Sequence, residues 1–215
     1  MLTGYDMFLR ALDEYGFMPL GGSLPIVTLD SLAQFYFDGE DHDPWAWRMR
    51  LCTQKDGAYA RLLFGKPTLV SPQWYGVFLR AFASDESLEE RYARGECDPL
   101  TRRIGALFDV RPVWARHALL SEIGRREVKP SAFDRALTTL EREMRITVSG
   151  EAYRIAANGA PCGWPSVEYM RTDCFLPPAW PSCALTREQA REKIVEKSLE
   201  TAPSLTQRDI RRMLG

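Results

Sequence analysis

The chain has 215 residues, enough for one large domain or two small ones. A hydrophobic fraction of 45% beside 27% charged residues excludes wholesale disorder and fibrous repeats. With 28 Lys and Arg against 29 Asp and Glu, the formal charge of −1 excludes a uniformly basic nucleic-acid binder and an acidic tail.

The opening stretch, MLTGYDMFLRALDEYG, carries Asp6, Arg10, Asp13 and Glu14, so no export signal is expected. No apolar run nears the roughly 18–20 residues of a membrane span. Leu2 to Tyr15 reads as an amphipathic helix with Tyr5, Phe8, Leu9, Leu12 and Tyr15 on one side. Thr28 is the expected cap of a second helix, TLDSLAQFYF. The loop DGEDHDP follows. Its carboxylates Asp38, Glu40, Asp41 and Asp43 depart from calcium-loop spacing and read as a solvated loop around His42.

From Trp45 to Leu51 the residues Trp45, Trp47 and Met49 alternate with Ala46, Arg48 and Arg50, a period of two that predicts a strand. Asp56-Gly57 would turn it into an answering strand, Ala58 to Phe64, before Thr68 to Val70. In that hairpin both tryptophans share one face and Arg48 and Arg50 the other. Asp43, Trp45, Trp47, Arg48 and Arg50 then form a candidate pocket for a base and phosphates, since aromatic faces stack bases. The alternative is that the tryptophans are core and the arginines pair with the acidic loop. A helix starts after Ser71, with Pro72 at its first position.

Gly95 and Pro99 mark an expected boundary, and Pro177, Pro178 and Pro181 a second. The expected organisation is an N-terminal domain over 1–94, a second over 95–175 and C-terminal helices over 176–215. In the second domain PLTRRIGALFDV predicts a helix, with Leu100, Ile104, Leu107 and Phe108 in register. RPVWARHALLSEIG predicts another, ending at Gly124, in which His117 reads as a partly buried structural histidine. A third begins at Ser131, whose spacing to Asp134 resembles a capping box. Its stripe is Phe133, Ala136, Leu137, Leu140 and Met144. RITVSGEAYRIA then predicts a hairpin turning at Ser149-Gly150. Beyond the proline-rich break, Thr186 and Thr206 are expected to cap two further helices.

Three helices followed by a β-hairpin is the winged-helix arrangement. The fold class is therefore α+β, mainly helical, with a winged helix in the C-terminal half. The N-terminal half reads as helix–β-hairpin–helix, compatible with a degenerate winged helix. Charge in blocks supports looking there for DNA: residues 1–43 carry −7, 44–83 carry +5, 84–100 carry −4, 101–156 carry +4 and 157–215 carry +1. The third helix is the one that can enter a major groove. Its candidate DNA contacts are Arg135, Thr138, Thr139 and Arg142, with Arg125, Arg126 and Lys129 ahead of it and Arg145 and Arg154 on the wing. Asp134, Glu141 and Glu143 on the same helix argue instead for a protein partner.

Enzyme motifs are scarce. No G-x-S-x-G, Walker A, G-x-G-x-x-G or H-E-x-x-H occurs, and His42 and His117 are the two histidines. The five cysteines, Cys52, Cys97, Cys162, Cys174 and Cys183, never form C-x-x-C. Reduced thiols in a cytoplasmic protein, with neither disulfides nor a metal site, are expected.

The runs DPWAWRMR, AYARLLFGK, LVSPQWYGVFL, FDRALTTLEREMRITVSG and PCGWPSVEY resemble the AlkZ-related branch of the AlkZ/YcaQ-type winged-helix DNA glycosylases, over about residues 28 to 175. That resemblance implies a protein built of winged-helix units. Characterised members of the superfamily excise alkylated or crosslinked bases without metal or organic cofactor, using a Gln-x-Gln or Gln-x-Asp pair to position water. Here Gln34, Gln73 and Gln189 have neither Gln nor Asp two residues later, while Gln54-Lys55-Asp56 and Gln207-Arg208-Asp209 have the Gln-x-Asp spacing but lie outside the runs that carry the resemblance. Gln34-Phe35-Tyr36 and Asp41-His42-Asp43 are partial approaches to the pair. No catalytic residue carries over, and Asp43 beside Trp45 is the first candidate if such chemistry survives. The expectation is a DNA-associated winged-helix protein without catalysis, binding double-stranded DNA and no cofactor. The alternatives are a module for a protein partner or self-association, and a base-excision enzyme.

Overall fold

Pro44, Pro72, Pro99 and Pro130 each stand at the first position of a helix, where the missing N–H costs nothing and the fixed φ suits the turn. The computed structural model describes residues 1–35, 39, 41–202 and 204–215. Tyr36, Asp38 and Glu40 of the sequence readings above lie outside the described residues.

The first 83 residues run α1 (Tyr5–Tyr15), β1 (Phe17–Pro19), α2 (Leu29–Leu32), α3 (Pro44–Gln54), β2 (Ala58–Arg61), a 3-10 turn (Leu63–Gly65), β3 (Pro67–Val70) and α4 (Pro72–Phe82). The expected strand over Trp45–Leu51 is a helix. Asp43 caps it, its side chain accepting from Trp45 N at 2.9 Å, and Lys55 closes it in the left-handed region at φ 61°. Asp56-Gly57 therefore joins a helix to β2, and β2 pairs with β3, Ala58 opposite Val70. The second predicted helix is also shorter, four residues behind Thr28. β1, unforeseen in the sequence, lies on the other side of β3 with Phe17 opposite Val70. The hairpin is thus Ala58–Val70, not Trp45–Phe64.

Residues 84–176 run α5 (Leu88–Ala93), α6 (Pro99–Val110), β4 (Val113–Ala115), α7 (Arg116–Ile123), α8 (Pro130–Arg142), β5 (Ile146–Ile155), β6 (Pro161–Arg171) and α9 (Thr172–Phe175). Val113 and Trp114, expected in a helix, form an edge strand, with Trp114 opposite Tyr169. Lys129 rather than Ser131 caps α8, because Pro130 already opens it. The stripe Phe133, Ala136, Leu137, Leu140 and Met144 is buried, together with Ile104, Phe108, Leu119 and Ile123. Ser149-Gly150 is not the turn: β5 runs through it with a register shift, and the chain reverses at residues 156–160.

α10 (Arg187–Thr201) and α11 (Gln207–Leu214) follow, capped at Thr186 and Thr206 by capping boxes. They belong to one compact unit with residues 1–83, and residues 84–176 form the other. In the first unit α4 approaches the 181–183 segment so closely that a Cβ on Gly76 would collide with the Pro181 carbonyl. Each unit repeats one order, helix–strand–helix–helix–strand–strand. Their sheets follow the same pattern, β1-β3-β2 and β4-β6-β5, with the last strand central. Among the described residues no helix is long and apolar enough to cross a membrane.

The thiols differ sharply in environment. Cys52 is fully buried on α3, and burial pushes it up to about 12 against the pull of Arg48 and Lys55. Cys162 and Cys174 are exposed. Maleimide at pH 8 is therefore expected to label Cys162 and Cys174 rapidly and Cys52 only on unfolding. Rapid native labelling of Cys52 would contradict this packing.

Candidate nucleic-acid interface

Helical periodicity sorts the charges of α8. Glu141 points inward and is 2% exposed. Asp134 accepts from Arg116 Nη2 at 2.6 Å. Glu143, just past the helix, pairs with Arg91 and accepts from Arg145 Nε at 2.8 Å. Asp134 and Glu143 are thus each paired with arginine, and Glu141 is buried. Arg145 is taken out of the candidate set by the same network, since it also donates to the Glu86 carbonyl.

The cations behave differently. Arg135 is exposed and Arg142 half-buried, and Arg125, Arg126 and Lys129 are exposed in the turn ahead of α8. Together with Arg154 on β5, they form no ion pair among the described residues, whereas Arg94, Arg102 and Arg171 each hold a carboxylate. Thr138 and Thr139 donate their hydroxyls to the carbonyls of Asp134 and Arg135, at 2.8 and 3.1 Å, which fixes their side chains on the helix surface. One helix therefore presents arginines and threonines, with its acids paired or buried.

The β5–β6 hairpin adds a feature that the sequence reading missed. Its far end carries Tyr153, Ile155 and Trp164, which are 50%, 65% and 93% exposed. Between the pairs Ala152↔Ser166 and Arg154↔Cys162 the register shifts, placing Tyr153 opposite the Gly163–Pro165 stretch. Gly163 at φ 72° adopts the left-handed backbone that this bulge requires, which re-aims Trp164. An indole with so little protein contact gains nothing for the fold by being there. The signal was available: Asn158-Gly159 is a strong hairpin dipeptide, and it moves the turn away from Ser149-Gly150.

Midway along the hairpin, His117 Nδ1 and Ser166 Oγ are 2.7 Å apart. Partial burial, then the charges of Arg154 and Arg125, hold the imidazole below its ordinary value. His117 thus makes a specific polar contact rather than serving as plain core.

The N-terminal pocket candidates do not assemble as predicted. Residues two apart on a helix point to opposite sides, so Trp45 is 48% exposed and Trp47 is fully buried. Trp47 stacks on Phe8 at 5.6 Å and donates from Nε1 to the Asp41 carbonyl at 2.9 Å. Arg48, 5% exposed, lies 3.9 Å over the Trp45 ring, one helical turn away. Arg50 pairs with Asp41 at 3.0 Å, bonds Gln54 and covers Tyr5 at 4.0 Å. The Asp43 carboxylate caps α3, and His42 Nδ1 lies 2.6 Å from the Thr3 carbonyl. These residues tie the N-terminal unit together internally. Among the described residues no group of three or more His, Cys, Asp and Glu side chains is placed to hold a metal ion.

Comparison with known proteins gives three results. Curated proteins return no match to this sequence. Among solved structures, Streptomyces sahachiroi DNA glycosylase AlkZ aligns at 14% identity with a TM-score of 0.43, covering 80% of this chain. The aligned part is 50% of that structure, so the chain spans about half its length. The AlkZ-related family model, by contrast, matches residues 2–215, and this chain belongs to the AlkZ-related family.

Proposed function

We propose that this chain binds duplex DNA through a winged-helix unit, residues 84–176, without excising a base. In this reading α8 is the helix that enters the major groove and the β5–β6 hairpin is the wing. The observation that carries it is the sorting of charge on α8. Its acids are bound to Arg116, Arg91 and Arg145 or buried, while Arg135 and Arg142 make no ion pair among the described residues. Arginine reads guanine edges or phosphates bidentately, and the threonine hydroxyl donates to either. A protein partner drawn by acidic residues would find none unpaired on that helix face.

The wing fits the same partner. Arg154 supplies charge, and Trp164 and Tyr153 supply flat apolar surface that can lie against sugars or an unstacked base step. Trp164→Ala is expected to weaken duplex binding by about 1–3 kcal/mol, roughly 5- to 150-fold, the usual range for base–aromatic contact. Its thermal stability should be unchanged. Duplex addition should also quench and shift a tryptophan emission component that this variant lacks. Equal affinity of variant and wild type in an anisotropy titration would remove the wing from the interface.

Support for a non-catalytic role comes from the first catalytic candidate. The Asp43 carboxylate is engaged by the Trp45 amide as a helix cap. The two Gln-x-Asp spacings of the sequence are engaged as well: Gln54 Oε1 accepts from Arg50 Nε and Asp56 Oδ2 from the Tyr5 hydroxyl, while Asp209 accepts from Thr206 in a capping box. Incubation with alkylated duplex followed by cleavage at abasic sites tests this. Strand breaks at control level are expected, and breaks above control with any lesion would overturn it.

A further inference from the structure

We propose that His117, Ser166, Arg154 and Arg125 form an oxyanion site that takes one phosphate of a nucleic-acid backbone. The proposal rests on the duplex-binding reading above and names one point of contact within it. The residues come from neighbouring elements: His117 from α7, Ser166 from β6 and Arg154 from β5, two residues beyond the Ala152 that pairs with Ser166, while Arg125 lies in the turn after α7. The 2.7 Å contact between His117 Nδ1 and Ser166 Oγ fixes the ring. When the serine hydroxyl donates to Nδ1, the neutral imidazole carries its proton on Nε2, a nitrogen that makes no hydrogen bond to the protein among the described residues. Arg125 and Arg154 make no ion pair among the described residues, and both act electrostatically on His117.

Charges on the surrounding elements support an anion. The groups bearing on His117 are Arg154 from β5 and Arg125 from the turn, both positive, and β6 contributes the neutral Ser166 and, two residues on, Glu168, whose carboxylate accepts from Ser149 Oγ at 3.3 Å. On α7 itself Arg116 is held by Asp134. Like charges brought together repel one another, and an oxyanion relieves that repulsion while accepting from each donor. A dianionic or diester phosphate has oxygens enough for two guanidiniums and an imidazole. Because the anion favours the imidazolium, occupancy should raise the pH at which His117 titrates, and binding should take up a fraction of a proton below neutrality.

Two arms test the site and separate its sources. In the first, the imidazole C–H resonances of His117 and His42 are followed by NMR in the full chain during titration with inorganic phosphate, against chloride at equal ionic strength. A saturable shift of His117 alone, lost in Arg154→Ala and Arg125→Ala, is expected. In the second, the slope of log K against log salt is measured for a duplex. Each of these variants should lower it by about 1. If wild type binds duplex with the salt slope of the variants unchanged and His117 ignores phosphate, the site is wrong and the duplex reading stands. If His117 responds to phosphate but wild type does not bind duplex, the duplex reading fails, and with it the assignment of the phosphate to a nucleic-acid backbone. Both variants alter exposed arginines without ion pairs among the described residues, so loss of fold does not confuse the outcome.

Discussion

Replacing Arg135 and Arg142 together with glutamate is expected to abolish duplex binding and leave the protein folded. Each arginine that meets a base edge or phosphate contributes about 1–3 kcal/mol. Losing both costs about 2–6 kcal/mol, about 30-fold at the low end, and two new carboxylates facing phosphate add repulsion. Neither arginine holds a protein carboxylate among the described residues, so the folded state loses little. The exception is Arg142 in the last turn of α8, where a cation suits the helix dipole by about 0.3–1 kcal/mol. Arg135→Gln with Arg142→Gln separates the two effects, weakening binding without reversing charge. Denaturant melts should superimpose within about 1 kcal/mol. A gel shift of undiminished salt sensitivity in the glutamate variant would show that α8 is not the binding face.

The tryptophans of α3 should respond in opposite ways to truncation. Trp47→Ala removes a fully buried indole stacked on Phe8 and strands the Asp41 carbonyl, and large aromatic-to-alanine changes in cores cost about 3–5 kcal/mol. Trp45→Ala removes a half-exposed ring stacked against the buried Arg48 guanidinium, a contact on the order of 0.5–2 kcal/mol between exposed and desolvated settings. Urea unfolding should therefore show a large loss of stability for the first and a small one for the second. Similar losses for both would be the signature of a strand with the two rings on one face, and would contradict the helix.

That contrast also locates where sequence patterning misled. Seven residues of alternation, Trp45 to Leu51, fit a period of two, but they are also short enough to fit a helix by chance. The deciding signal was local: Asp43-Pro44 is a cap followed by proline at the first helical position, the same pattern that correctly marked Ser71-Pro72. β1 and β4 were missed because three-residue strands are too short to show a period. By contrast, the long stripe from Phe133 to Leu140 was legible, since four apolar residues at helical spacing leave little alternative.

The candidate interface was half legible. The sequence names the arginines of 125–154, but it cannot say which carboxylates neutralise which cations. Arg116, which holds Asp134, is 18 positions away, and Arg91, which holds Glu143, is 52 positions away. Arg48 and Arg50 belong to an equally basic segment, yet they are absorbed by Trp45, Tyr5 and Asp41. Arg48 and Arg50 of the +5 block are thus held internally, whereas Arg125, Arg126, Lys129, Arg135 and Arg154 of the +4 block are exposed. Trp164 escaped notice because a wing ending at Ala156 leaves it outside the hairpin.

Hydrogen exchange of the full chain with and without a saturating duplex addresses duplex binding through residues 84–176 most directly. Protection is expected to rise across residues 125–142 and along the hairpin from 150 to 166, with little change in α3 or β2. Protection confined to residues 1–83, or no change at any amide under conditions where the duplex is bound, would contradict it.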